Sequence, residues 1–188
     1  REAPRGEGRL VRALGLRAGG TGQHPTPLVL DATAGLGRET MLAAALGCTV
    51  IACERSPIVA LLLRDGLDRA AAGGLATVAA RVMLRAEDAR DVLRAIAVTA
   101  DTRPDIVIVD PMFPERSKAA KARREMQLLQ QLLGPDDDAD ALLEVALQAA
   151  LRRVVVKRPA HAPSVSGRAP SFAVEGRAAR YDVYVTGT

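Results

Sequence analysis

Apolar residues are arranged in two alternating ways along this chain. Short unbroken runs occur in "LVLD" from Leu28, "TVIACE" from Thr49, "ARVMLRAED" from Ala80, "DIVIVD" from Asp105 and "RVVVK" from Arg153. Runs of this length, rich in β-branched residues and closed by polar ones, predict buried strands. Between them lie longer stretches with helical spacing. "RETMLAAALG" predicts an Ala/Leu helix closed by Gly47, and "SPIVALLLRDGLDRAAA" a helix with Ser56 at its N-cap and Pro57 at its first position.

Further on, "RSKAAKARREMQLLQQLLG" places Ala119, Ala122, Met126, Leu129 and Leu133 on one helical face. Arg116, Lys118, Lys121, Arg123 and Arg124 lie away from it, as a solvated face or a phosphate-contacting one. "PDDDADALLEVALQAAL" begins a helix whose acidic first turn suits the macrodipole. The tail "PSFAVEGRAARYDVYVT" reads as two strands joined by a Gly-containing turn, a hairpin that finishes the sheet with one antiparallel strand. Strands alternating with helices imply a mostly parallel sheet covered on both faces, the doubly wound α/β class.

The predicted domain runs over 28–188. Residues 1–27 form an Arg/Gly-rich segment and linker, in which Leu10, Leu14 and Leu16 allow a short helix. The chain begins without methionine, which suggests truncation or processing.

Composition narrows the function classes. With 188 residues, 48% hydrophobic and 26% charged, the chain can bury one core. No apolar run approaches the roughly 20 residues of a membrane span, and a cytoplasmic location is expected. Cys48 and Cys53 match neither a zinc pattern nor a disulfide framework, and His24 and His161 have no partner at ligand spacing, so no protein metal site is expected. A net charge of +4 favours anionic partners without naming one. Phe113, Phe172, Tyr181 and Tyr184 are the only aromatics, too few for a multi-ring stacking platform.

The chemistry gathers at strand carboxyl ends, where ligands of such sheets bind. The first strand ends in Asp31, and Gly35 and Gly37 follow in a turn that lets backbone pass close to a ligand. A nicotinamide dinucleotide fingerprint needs a small residue where this chain has Thr40. Glu54 closes the second strand, placed to accept from the ribose hydroxyls of an adenosine. Glu87 and Asp88 close the third, placed for an adenine amino group. Asp110, Pro111 and Phe113 close the fourth. They resemble the D/N-P-P-aromatic motif of methyltransferases acting on exocyclic amines, with Met112 in place of the second proline.

The likeness extends beyond these motifs. "DATAGLGRE", "CTVIACERSPIVALLLRDGL", "VDPMFP", "EMQLLQQLLGPDDDADALLE" and "RVVVKRPAHAP" together resemble the RsmJ family, bacterial small-subunit (16S) ribosomal RNA guanine-N2 methyltransferases. The resemblance covers nearly the whole chain from about Arg5. Family members usually carry an additional N-terminal segment before the stretch found here as Arg5 to Glu7.

This resemblance implies a Rossmann-like class I methyltransferase sheet and S-adenosylmethionine as cofactor. It adds Arg38, Glu39 and Arg55 to Glu54, Glu87, Asp88 and Asp110 as cofactor contacts. Asp110 and the Pro111 carbonyl would accept the two hydrogens of the target amine, and Phe113 would stack on the base. Lys118, Lys121, Arg124, Lys157 and Arg158 are the expected contacts to 16S ribosomal RNA or the small subunit. Two other readings stay open: an amino-group methyltransferase acting on DNA or protein glutamine, and a non-catalytic module that binds cofactor or RNA.

Overall fold

The structure, a computed structural model, describes residues 7–16, 26–97, 102–111 and 138–187. Their elements are, in chain order, α1 (Glu7–Leu14), β1 (Leu28–Asp31), α2 (Arg38–Ala45), β2 (Thr49–Cys53), α3 (Pro57–Ala72), α4 (Ala76–Ala79) and β3 (Val82–Arg85). They continue with α5 (Ala89–Ala97), β4 (Ile106–Val109), α6 (Ala139–Ala149), β5 (Arg153–Pro159), a 3-10 turn (Val165–Gly167), β6 (Phe172–Val174) and β7 (Ala179–Val185).

The seven strands form one sheet in the order β3-β2-β1-β4-β5-β7-β6. Strands β1 to β5 pair in parallel, whereas β7 lies antiparallel between β5 and β6. The expected C-terminal hairpin is therefore present, with its second strand inserted next to β5.

Side-chain alternation along the strands feeds two cores. On one face Leu30, Val107, Val109, Val154 and Val156 pack with Val92 and Leu93 of α5 and Leu143 and Ala146 of α6. On the other, Val29, Val50, Ile106, Ile108 and Val155 meet Ala43 and Ala44 of α2 and Leu10 and Leu14 of α1. Because β4 is buried at all four positions, each of its side chains belongs to one core or the other. Full burial of such a side chain contributes about 1.5–3 kcal/mol. Helix α1 thus packs into the sheet's own core instead of standing apart from it.

Two details differ from the pattern read along the chain. β3 pairs only with β2, so it is an edge strand of four residues with half-buried and exposed positions in alternation, and Met83 is solvent-exposed. Helices α4 and α5 were not expected. In α5, Val92, Leu93 and Ile96 carry helical spacing inside a short segment, and Asp88 accepts a hydrogen bond from the Arg90 amide at its start. The predicted helix over 116–134 lies outside the described residues.

Candidate active site

The glycine turn after β1 is fastened from three sides. The Ala32 amide donates to the Ile108 carbonyl of β4 at 2.9 Å and the Ala34 amide to the Cys53 carbonyl of β2 at 3.0 Å. Beneath the turn, Asp31 accepts from the Thr40 hydroxyl at 2.6 Å and from the Thr33 amide at 3.2 Å. Asp31 is 1% exposed, and burial pushes its carboxyl up to about 7. It therefore braces the turn from within and has no surface to offer a ligand. Gly35 and Gly37 hold φ of +53° and +83°, the left-handed region that the absence of a Cβ makes accessible.

Glu54 joins this turn to the end of β2. One carboxylate oxygen accepts from the Gly35 amide at 2.9 Å, the other from the Ser56 amide at 2.8 Å. Each oxygen keeps further acceptor capacity, and Glu54 lines a cavity with Thr33, Gly35, Asp88, Asp110 and Pro111. Across its mouth, Asp138 at the start of α6 pairs with Arg55 at 2.8 Å and with Arg90 at 2.9 Å. This cavity measures about 70 Å³, and a second one nearby is far larger at about 710 Å³. Size does not decide which suits an adenosine. The smaller one holds the carboxyl ends of β1, β2 and β4 and the turn's close backbone approach, the features a nucleoside needs.

At the end of β3 the two acids part company. Asp88 lines the cavity but is held by both arms of the Arg90 guanidinium, at 3.0 and 2.6 Å, which keeps its carboxyl below the usual range. Glu87 is exposed and paired with Arg85 at 2.7 Å, outside the cavity lining, and that hydrogen bond lowers its carboxyl.

Asp110 emerges from β4 with its amide donating to the Thr33 hydroxyl at 2.6 Å. Its carboxylate meets Lys157 of β5, whose ammonium bridges Asp110 Oδ2 and Glu39 Oε1, each at 2.7 Å. Burial pushes Asp110 up to about 6 against the opposing pull of Lys157, so the group is ionised at neutral pH. Burial disfavours the Lys157 ammonium too, but Asp110 and Glu39 outweigh it and its pKa lies above the ordinary lysine value. Pro111 is buried beside Asp110, while Phe113, Lys118, Lys121 and Arg124 lie outside the described residues.

Lys157 and Arg158, expected to meet RNA, are placed differently from one another. Lys157 faces two carboxylates. Arg158, on the opposite face of β5, is 6% exposed and donates to the Pro163 carbonyl. Successive strand residues point to opposite faces, so Lys157 reaches the cavity side while Arg158 is buried on the other. Arg38 and Glu39, at the start of α2, lie beyond Lys157 and line the larger cavity. Sequence reasoning missed Thr33, Arg90 and Asp138 as parts of the site. Asp138 stands in an acidic run whose helix-start position gave no hint of its ion pairs.

A Rossmann-like sheet with a glycine turn, a ribose-height carboxylate on β2 and an acid-proline pair ending β4 defines a methyltransferase dependent on S-adenosylmethionine (SAM). The SAM-dependent methyltransferase family model matches residues 3–186. The chain belongs to that family and, within it, to the ribosomal RNA small subunit methyltransferase J group. It is 49% identical over 179 residues to the Thioalkalivibrio sulfidiphilus protein of that name, covering 95% of this chain and 68% of the relative. The solved SAM-dependent methyltransferase from Neisseria gonorrhoeae is 38% identical with a TM-score of 0.68, over 85% of this chain and 65% of that one. An RNA methyltransferase from Salinibacter ruber, solved with S-adenosyl-L-homocysteine, shares the fold at 14% identity and a TM-score of 0.56, over 100% of this chain and 94% of that one. The chain spans between 66% and 69% of the curated relatives' length.

Proposed function

We propose that this protein transfers the methyl group of SAM to the exocyclic N2 amine of a guanine in small-subunit (16S) ribosomal RNA, in the cytoplasm. The observation that carries the reading is the position of Asp110: ionised, at the end of a fully buried strand, opening into the cavity that Glu54 and Gly35 shape. The relatives' name, ribosomal RNA small subunit methyltransferase J, supports the substrate.

The residues present fit the cofactor. The free lone pairs of Glu54 suit two ribose hydroxyls, and the backbone at Gly35 leaves room for close approach. The amides that open α2, at Arg38 and Glu39, suit a carboxylate at the amino-acid end. Arg55 and Asp88 act at the rim, Arg55 through Asp138 and Asp88 through Arg90, and Asp31 acts from beneath the turn. Bound there, SAM supplies an electrophilic methyl carbon on a sulfonium.

The chain's own contribution is orientation. The guanine N2 lone pair is delocalised into the ring, so the amine is a poor nucleophile. Asp110 and the Pro111 carbonyl accept its two hydrogens and aim the lone pair at the methyl carbon. With the methyl group transferred from the sulfonium to nitrogen the amine would be cationic, and the Asp110 carboxylate would stabilise that charge and accept the released proton. Positioning and fixed charge carry the rate. Phe113 is assigned to stack on the base, for about 1–3 kcal/mol.

Single-turnover methyl transfer to 16S ribosomal RNA by Asp110→Asn tests the proposal. The variant should melt and bind cofactor like the parent yet transfer at least about 100-fold more slowly, the scale of losing one fixed charge-stabilising group. Near-parental transfer by a folded variant, or methylation of DNA or glutamine in place of guanine N2, would refute it.

A further inference from the structure

The cavity of about 710 Å³ shares Arg38, Glu39 and Lys157 with the site above, but the rest of its lining has no role in that chemistry. Glu39 and Lys157 line it, and the same Lys157 ammonium holds Asp110. Its walls are apolar where Met41, Leu42, Val78 and Tyr181 line it. Its polar lining is cationic on balance: Arg9, Arg38 and Lys157 face one carboxylate, Glu39. Lys157 and Glu39 satisfy each other. Arg9, by contrast, has no ion pair among the described residues, and its Nε is buried with no hydrogen-bond partner. A Cβ on Gly176 would fall within 1.6 Å of one Arg9 terminal nitrogen, so the β6–β7 turn fixes where that guanidinium stands.

Arg9 thus brings a positive charge to the cavity lining without an ion pair among the described residues, and an anionic group would supply the missing counter-charge. The volume lies within the roughly 300–1,000 Å³ of ordinary ligand sites. Apolar walls beside a fixed cation suit a flat base linked to a phosphate. We infer that this cavity receives a nucleotide of single-stranded RNA flanking the target guanine, with Arg9 on its phosphate and the apolar wall of α2, α4 and Tyr181 against its base. The inference rests on the proposed function and gives it a substrate path: the strand would cross the Lys157 bridge with the target base at Asp110.

The test is fluorescence anisotropy with a short labelled single-stranded RNA carrying one central guanosine. Arg9→Ala should weaken binding about fivefold near 0.1 M salt and flatten the slope of log affinity against log salt by about 0.7, the value of one phosphate contact on a single strand. Arg9→Lys should restore most of both, and SAM affinity should be unchanged in each. Arg9 packs on a turn, so a second pair is needed. Ala45 is an exposed helix position on the cavity rim, where Ala45→Glu should weaken and Ala45→Lys should strengthen RNA binding. Equal effects of the two rim variants, an unchanged slope in a folded Arg9→Ala, or no binding by the parent would overturn the inference. Methyl transfer by the same parent preparation separates the two proposals. Transfer with parental RNA binding in every cavity variant sinks only this one, whereas cavity-dependent binding without transfer supports it and sinks the reaction.

Discussion

Lys157 Nζ stands 2.7 Å from Asp110 Oδ2, and the same ammonium holds Glu39 at 2.7 Å. The acceptor carboxylate of the proposed reaction is thus kept ionised in a buried setting by a neighbour on β5. Lys157 is a positioning residue that acts through Asp110.

Replacing it should therefore move a pH profile and leave the fold's outline intact. Asp110 must be ionised to work, so activity should rise with pH through about 6. An opposite charge at this distance lowers a carboxyl by roughly 1–3 pH units, and Lys157→Met should shift the acid limb of single-turnover transfer upward by at least about one. Activity lost at pH 7 should return near pH 9, and Lys157→Arg should keep the parental limb. A uniform loss across pH would leave Lys157 a purely structural role.

Glu54→Ala should weaken SAM binding by about 10- to 100-fold, since hydrogen bonds to a charged group contribute about 1.5–3 kcal/mol each. It should also lower the melting temperature, because the Gly35 and Ser56 amides lose their acceptor. Cys53→Ala removes a buried thiol that burial holds protonated, up to about 12, and should cost stability alone. Calorimetric titration of both variants checks this, and equal losses of affinity would remove Glu54 from the ribose.

Asp31 links stability to pH in a sense opposite to that of a salt-bridged acid. Unfolded, it ionises near 3.8. Folded, it holds its proton to about 7. Between those values the folded state binds more protons, so this group's contribution falls as pH rises, by about 4 kcal/mol at most. Asp31→Asn has no such ionisation. The urea midpoint of the variant should gain on the parent from pH 4 to pH 7 and run parallel to it above pH 8. A constant difference would contradict the burial argument.

The two turn glycines should differ in tolerance. A Cβ at Gly35 finds its nearest neighbour at 3.9 Å, so Gly35→Ala should cost about 1 kcal/mol, from the left-handed backbone alone. At Gly37 the Cβ would lie 2.5 Å from Leu63 Cδ1, a buried side chain with little room to move. Gly37→Ala should cost about 2–4 kcal/mol through added overpacking. Urea denaturation of both variants decides, and equal costs would mean that Leu63 yields freely.

Local pattern was enough to determine much of this protein. Continuous apolar runs such as "IVIV" can be satisfied only in a strand covered on both faces, and the acids closing β1, β2 and β4 follow directly from where those runs stop. The family likeness was legible for the same reason, since its motifs are contiguous. Helix α5 escaped because nine residues hold few helical repeats. What tertiary structure alone decided is which strand ends meet. Lys157 lies 118 residues from Glu39 and 47 from Asp110, and their contact depends on β4 and β5 being neighbours beside α2. Adjacent residues also took opposite fates, Lys157 facing the site and Arg158 buried on the other face of β5, Asp88 at the cavity and Glu87 in solvent. In β5 strand alternation turns Lys157 and Arg158 apart, while Glu87 and Asp88 lie in the turn between β3 and α5; which face or cavity receives each depends on sheet order and on the helices laid over it, set by packing between segments distant in sequence.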